Sequence, residues 1–202
     1  MKKLILLATL ILLPAFVFAG VAGSAHDFSV NSASSLYGGT ACGGCHKPHN
    51  AGTLIPLWND SNTFDNQYTA YSSPTDSLNA TPNSTLGSVS KACMACHDGM
   101  INDTAANGGT AISALKATVT VGLDIDYQND AQGQHPVSIQ YLDNGTATSL
   151  KPLANVKSAG FKFYGTSGDI LECGTCHDPH AGQSPDFLRA DKASLCQTCH
   201  NN

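Results

Sequence analysis

Eight cysteines and eight histidines are the residues of this chain whose types and spacing could do chemistry. All eight cysteines fall in four CxxCH motifs, which begin at Cys42, Cys93, Cys173 and Cys196. Two thiols at this spacing can reach the two vinyl groups on one edge of a porphyrin, and the next residue can then turn its imidazole onto the iron. Four such motifs, which use every cysteine of the chain, predict four covalently bound haem c groups, numbered here in chain order.

The predicted attachment residues follow directly from the motifs. The cofactor-binding cysteines are Cys42, Cys45, Cys93, Cys96, Cys173, Cys176, Cys196 and Cys199, and the proximal iron ligands are His46, His97, His177 and His200. Four disulfides in a secreted protein would explain the even number of cysteines but not the histidine after each pair. Zinc would explain CxxC pairs, yet it does not require this regularity.

The remaining four histidines match the number of iron positions still to be filled. They are His26, His49, His135 and His180. Methionine is the usual competing axial ligand, but Met94 lies inside a CxxCH motif and Met100 lies three residues after a proximal histidine. We therefore expect two histidine ligands at all four irons.

Two of these histidines lie in CxxCHxPH segments. His49 and His180 each follow a proximal histidine by three residues, which places the two rings of each segment on one side of a turn. Opposed axial ligands need backbones on opposite faces of the porphyrin, so His49 cannot close haem 1 and His180 cannot close haem 3. Each must bind a neighbouring haem, and those haems must pack closely.

The order of histidine, CxxCHxPH and CxxCH occurs twice, which predicts two dihaem modules at about residues 26–100 and 135–202. Within the modules, His49 is assigned to haem 2 and His180 to haem 4. His26 and His135 are then left for haems 1 and 3, and spacing does not decide which takes which.

The N-terminus has the pattern of a secretory signal peptide over residues 1–19. Two lysines precede an uncharged apolar run that is broken by Pro14 and followed by small residues. We place cleavage after Ala19, with Ala22 and Ala25 as alternatives, and an uncleaved anchor as the rival interpretation. The mature chain, residues 20–202, then has 8 basic and 15 acidic residues, a formal charge of −7, and is expected to be periplasmic or extracellular. Without a basic patch, it is not expected to bind nucleic acid.

The rest of the chain predicts a mostly irregular, loop-rich multihaem cytochrome c fold with a core of stacked haems. Residues 51–90 are expected to form a loop in which Leu54, Ile55, Leu57 and Trp58 pack on porphyrin. Short helices are expected near each CxxCH motif. The best helix candidates are 88–96, 191–200 and 111–117, and the strand candidates are 117–125, 137–141 and 161–164.

A haem iron with two histidine ligands has no open coordination position for a substrate, whereas a catalytic metal site keeps such a position open. The chain is therefore expected to transfer single electrons between haems and not to be an enzyme. Histidine as the second ligand predicts low reduction potentials.

The doubled motif resembles that of multihaem cytochromes c of bacteria and archaea. Four segments, which begin at His26, Pro56, His135 and Cys173, are similar to segments of the extracellular tetrahaem cytochromes that polymerise into nanowires. The resemblance implies an extracellular filament of one repeated subunit, with a histidine of one subunit completing a haem of the next. His26 is the candidate for that histidine.

Two other functions remain open at the level of sequence. A soluble monomeric periplasmic electron shuttle would use the same ligands within one chain. A subunit of a redox enzyme would have one haem without a distal histidine. In each case the partners are redox proteins or an extracellular electron acceptor.

Overall fold

The computed structural model describes eight segments of the chain. They comprise residues 20–24, 26–29, 40–53, 55–59, 80–97, 135–143, 149–180 and 187–201, and of Ala95, Cys96 and His97 it describes only the backbone. The predicted signal peptide, the helix at 111–117, the strand at 117–125 and Leu54 lie outside these residues.

The described part of the chain is loop-rich, as the composition predicts. Its four helices and two strands are short and are separated by turns and irregular segments. In chain order they are α1 (Ser88–His97), β1 (Ile139–Gln140), α2 (Leu153–Ser158), β2 (Ile170–Leu171), α3 (Cys173–Cys176) and α4 (Lys192–Cys199).

The two strands form a small antiparallel sheet in which Ile139 faces Leu171 and Gln140 faces Ile170. Ile139 and Leu171 are buried and Gln140 is exposed, which is the alternation expected of strands with one face on a core. The predicted strand at 137–141 is thus confirmed over its central residues.

The other strand candidate in the described region, residues 161–164, does not form a strand. Only its last residue, Tyr164, bridges to Ile170. The turn between them contains Gly165, whose φ of 77° suits glycine and whose Cβ position would be occupied by the Ile170 side chain. This turn brings the chain directly into β2 and the third CxxCH motif.

In the described segments, two small apolar clusters form the core, and both border CxxCH motifs. The first cluster contains Leu86, Met94, Val137, Ile139 and Leu171, with Cys173 packed against it. The second contains Tyr141, Val156 and Phe161, with Cys176 and Cys199 packed against it. Three cysteines of the third and fourth motifs therefore lie at the edge of the core.

No helix within the described segments is long and apolar enough to cross a membrane.

Candidate haem-binding site

The third and fourth CxxCH motifs share one local geometry. Helices α3 and α4 end at Cys176 and Cys199, and the next residues, His177 and His200, have extended backbones. Each of these histidines still donates its backbone N–H to the first cysteine of its motif. One helical turn thus places two cysteines on one side, and the break after it directs the histidine away from the helix.

The first motif forms turns over residues 41–45 and no helix, so the prediction of a helix near each motif is wrong here. The two residues between its cysteines are Gly43 and Gly44, which favour a helix poorly. The backbone N–H of His46 nevertheless donates to the Cys42 carbonyl at 2.9 Å, as in one turn of helix. A side chain at Gly44 would collide with the Phe28 ring, which packs there.

The segment from Pro56 to Asn59 wraps around the first motif. The Asn59 backbone N–H donates to the Cys45 carbonyl at 2.8 Å, and its side-chain amide donates to the Gly43 carbonyl at 2.7 Å. Trp58 is buried and meets the His46 ring edge to face at 6.0 Å. Leu57 is half exposed, with a φ of 59°, and its contact with porphyrin stays a prediction.

A buried carboxyl group joins the second and third motifs. Glu172, the only glutamate of the chain, is 2% exposed and lies at the N-cap of α3. It accepts hydrogen bonds from the Ser90 backbone and hydroxyl in α1 and from the Ser138 hydroxyl beside β1. The Ser90 hydroxyl in turn accepts the Cys173 N–H at 3.0 Å. These bonds hold α1 against α3, and sequence reasoning did not single out any of these residues.

The third motif lies beside the second and fourth through its cysteines. The Cys93 thiol donates to the Cys173 sulfur, and this contact is the first cause of a lowered pKa at Cys173. Burial raises the pKa of Cys176 to about 11, and Cys199 is its nearest electrostatic neighbour. None of the seven cysteine side chains that the structure describes is in a disulfide.

Four of the predicted histidine ligands form two facing pairs. The ring centres of His46 and His180 are 6.2 Å apart with an angle of 20° between the planes. Those of His135 and His200 are 6.4 Å apart with an angle of 68°. Each pair contains one proximal histidine of a CxxCH motif and one histidine outside the motifs.

Backbone carbonyls fix the orientation of one ring in each pair. His46 Nδ1 lies 3.2 Å from the Pro56 carbonyl, and His135 Nδ1 lies 3.0 Å from the Pro136 carbonyl. With the proton on Nδ1, the Nε2 lone pair is left to bind a metal, which is the usual arrangement of metal-binding histidines. The His135 residue is exposed, but the chain packed around its ring partly desolvates it, and this desolvation lowers its pKa and favours the neutral form.

The segment that carries His180 is held by an ion pair. Asp178 accepts the His180 backbone N–H at 3.1 Å, and its carboxylate lies 3.7 Å from His180 Nδ1. Arg189 pairs with Asp178 at 2.9 Å and donates to the Gly174 carbonyl in α3 at 2.9 Å. Asp178 and Arg189 therefore tie His180 to the third motif.

The other ligand candidates are placed differently. The half-buried His26 ring stacks on Phe187, with ring centres 4.5 Å apart, while His49 and His177 are exposed. The side chain of His97 lies outside the described residues. The structure therefore brings four of the eight expected iron ligands together in two pairs.

Both ring pairs differ from the ligand assignments made from the sequence repeat. The repeat assigned His180 to haem 4 and left His135 for haem 1 or haem 3, whereas in the structure the His180 ring lies against His46 and the His135 ring against His200. The assignment relied on distance along the chain, whereas the pairing depends on how the first and third motifs pack together.

The residues present fit haem c. A metal–imidazole bond is about 2.0 Å long, so two imidazoles that face each other across one ion have ring centres about 6.3 Å apart. Both pairs match this spacing. In addition, the buried indole N–H of Trp58, beside His46, has no acceptor among the described residues, and a haem propionate could supply one. No three His, Cys, Asp or Glu side chains converge on a metal site in the described segments.

The comparison with protein families agrees with this chemistry. Residues 166–202, which contain the third and fourth motifs, match the family model for the doubled CXXCH motif. No curated protein matches the chain. The CxxCH motifs indicate covalent haem c binding, and the doubled motif is typical of multihaem c-type cytochromes that transfer electrons.

Proposed function

We propose that this protein is a secreted electron-transfer protein with four haems, each held between two histidines, and that it is the subunit of an extracellular cytochrome filament. The observation that carries the electron-transfer role is the spacing of the two histidine pairs. A ring on each side of an iron leaves no position for a substrate, so such a haem passes electrons through its edge. The protein is accordingly not an enzyme.

Residues of the chain would set the position, the coordination and the reduction potential of each haem. Covalent attachment through two thioethers holds the ring, and the histidines select the iron's coordination and favour a low potential. The Pro56 and Pro136 carbonyls orient His46 and His135 and increase the electron density that these rings offer. The buried apolar clusters beside Cys173, Cys176 and Cys199 would exclude water from part of the haem edges at the third and fourth motifs.

Close contact between motifs supports rapid transfer from haem to haem. The third motif lies beside the second through Ser90, Glu172 and the two cysteine sulfurs. It lies beside the first through His180 and beside the fourth through the cluster shared by Cys176 and Cys199. Motifs this close cannot hold their haems far apart.

The filament role rests on the resemblance of the ligand motifs to extracellular tetrahaem cytochromes. In such a filament, His26 would complete a haem of the adjacent subunit. The acidic surface, made more acidic by haem propionates, would suit redox partners with basic patches.

A soluble monomeric electron shuttle is the second candidate, and one observation favours it. His26 stacks on Phe187 of its own chain, and the Gly20 N–H donates to the His180 carbonyl at 2.8 Å. An N-terminal segment held in this way would complete a haem of its own chain.

Negative-stain microscopy of the secreted fraction tests the choice between filament and shuttle. The filament proposal expects thin filaments from the native protein and their loss in the His26→Ala variant, with one haem losing its sixth ligand. Ser29→Ala, in the same segment, is the matched control. A His26→Ala protein that assembles normally and keeps all haems six-coordinate would contradict the role given to His26.

A further inference from the structure

We infer that His180 completes the iron of haem 1, opposite His46, and that His135 completes the iron of haem 4, opposite His200. This inference rests on the proposed function, because it requires haems at the first and fourth motifs. It goes beyond that function by assigning two distal ligands to particular irons, both of them to other irons than the sequence repeat suggests.

The spacing of the rings is the first support. Ring centres at 6.2 and 6.4 Å match the separation of about 6.3 Å that one metal ion between two Nε2 atoms imposes. The two pairs involve different parts of the chain, and their ring-centre distances agree within 0.2 Å.

The angles between the rings are the second support. Rings that simply touch have a spacing that depends on their angle, because flat stacking brings centres closer than edge contact does. His26 and Phe187 show such contact, at 4.5 Å and 13°. The His46 and His180 rings are nearly as parallel but 6.2 Å apart, which is wider than flat stacking. The His135 and His200 rings are 6.4 Å apart at 68°, a spacing close to the 6.0 Å edge contact of His46 with Trp58, so the angle supports the first pair alone. Axial ligands can rotate about their metal bonds, so a shared ion fixes the distance and leaves the angle free.

The surroundings of the Nδ1 atoms are the third support. A carbonyl oxygen lies near Nδ1 in His46 and in His135, and the Asp178 carboxylate lies near Nδ1 of His180. Two of the four rings thus have an oxygen within hydrogen-bond distance of Nδ1, and the third has a carboxylate oxygen 3.7 Å from Nδ1, which is a charge contact and not a hydrogen bond. Such an oxygen holds the ring in the tautomer that binds metal through Nε2.

The pairing has a consequence for the arrangement of haems. His180 follows His177 by three residues, so one short segment carries the distal ligand of haem 1 and the proximal ligand of haem 3. Haems 1 and 3 are then direct neighbours, and the two halves of the chain interlock. His26 and His49 remain for haems 2 and 3.

A haem-deletion experiment identifies the iron that each histidine binds. His180→Ala is made in the full protein, in a variant without haem 1 (Cys42→Ala with Cys45→Ala) and in one without haem 4 (Cys196→Ala with Cys199→Ala). Mass spectrometry counts the haems, and electron paramagnetic resonance counts high-spin ferric irons. His135→Ala is tested in the same three backgrounds and serves as the reciprocal control.

In the full protein, His180→Ala should convert one haem from low to high spin. The inference expects no such additional high-spin haem in the background without haem 1, and one in the background without haem 4. His135→Ala should give the opposite result. A new high-spin iron from His180→Ala in the protein without haem 1 would overturn the pairing, while a parent protein without low-spin haems would overturn the proposed function instead.

If a deletion variant does not fold, an experimental density map of the intact holoprotein, from crystallography or electron cryo-microscopy, identifies the two ligands of each iron. Continuous density from His46 through iron to His180, and from His200 through iron to His135, is expected. Another residue opposite His46 or His200 would overturn the assignment for that haem.

Discussion

Replacing the buried carboxyl group of Glu172 should weaken the whole fold, because this group joins α1, β1 and α3. In Glu172→Gln, the side chain keeps its length and one acceptor oxygen but loses its negative charge and its second acceptor oxygen, so the donors of Ser90 and Ser138 meet one neutral acceptor in place of a carboxylate. The Ser90 backbone N–H cannot turn to another acceptor within the helix end. The Asp169→Asn variant is the matched control, because Asp169 accepts from the exposed Gln140 side chain.

The expected loss can be worked from these contacts. Hydrogen bonds to a charged group contribute about 1.5–3 kcal/mol, and a buried donor left without a partner costs a similar amount. Since the glutamine retains part of the network, Glu172→Gln should lower the free energy of unfolding by about 1.5–3 kcal/mol. The exposed control should change it by at most about 0.5 kcal/mol.

Guanidinium unfolding of the holoprotein, followed by far-UV circular dichroism, measures both variants. With a slope of about 4 kcal/mol/M, the midpoint of Glu172→Gln should fall by about 0.4–0.8 M. The slope itself should stay unchanged, since the surface exposed on unfolding is the same. Equal midpoints for Glu172→Gln and Asp169→Asn would refute the reasoning that this carboxyl group holds the second and third motifs together.

Three further variants test other parts of the account. Burial raises the pKa of Tyr141 to about 12, so its un-ionised form stabilises the fold below pH 10, and this contribution is lost between pH 10 and 12. The unfolding free energies of the native protein and of Tyr141→Phe should therefore converge over that range. Two curves of unfolding free energy against pH that stay parallel would contradict this. Asp178→Asn removes a negative charge near His180 and should raise the reduction potential of one haem by tens of millivolts in a spectroelectrochemical titration. For a one-electron couple, a tenfold change in the equilibrium constant for reduction corresponds to about 59 mV. Unchanged reduction potentials would show that Asp178 does not influence a haem. Val156→Ala empties a fully buried position and should cost about 2 kcal/mol in chemical unfolding, whereas a loss under 0.5 kcal/mol would show that the cluster repacks.

Local chemistry was predictable from the sequence where it depends on neighbouring residues. The spacing of CxxCH itself indicates the haem sites, and the helices expected beside these motifs at 88–96 and 191–200 are confirmed by α1 and α4. The loop-rich character follows from composition. By contrast, helix α2 was missed, although Pro152 before it and the spacing of Leu153 and Val156 are typical of a helix start with one buried face.

Features that depend on packing between distant segments were not predictable. The partner of His180 is decided by contact between the first and third motifs, and nothing in the spacing of the repeat distinguishes that contact from one within a module. The role of Glu172 depends equally on Ser90, 82 residues away. The one available signal was that Glu172 is the only glutamate in the chain, and this signal does not identify the residues that it contacts.

Haem content and iron spin state, measured together on the purified mature protein, test the central claim most directly. The account predicts a mass that corresponds to four covalently attached haems and a ferric resonance spectrum that is entirely low-spin. Fewer than four haems, or a high-spin ferric signal in the native protein, would contradict it.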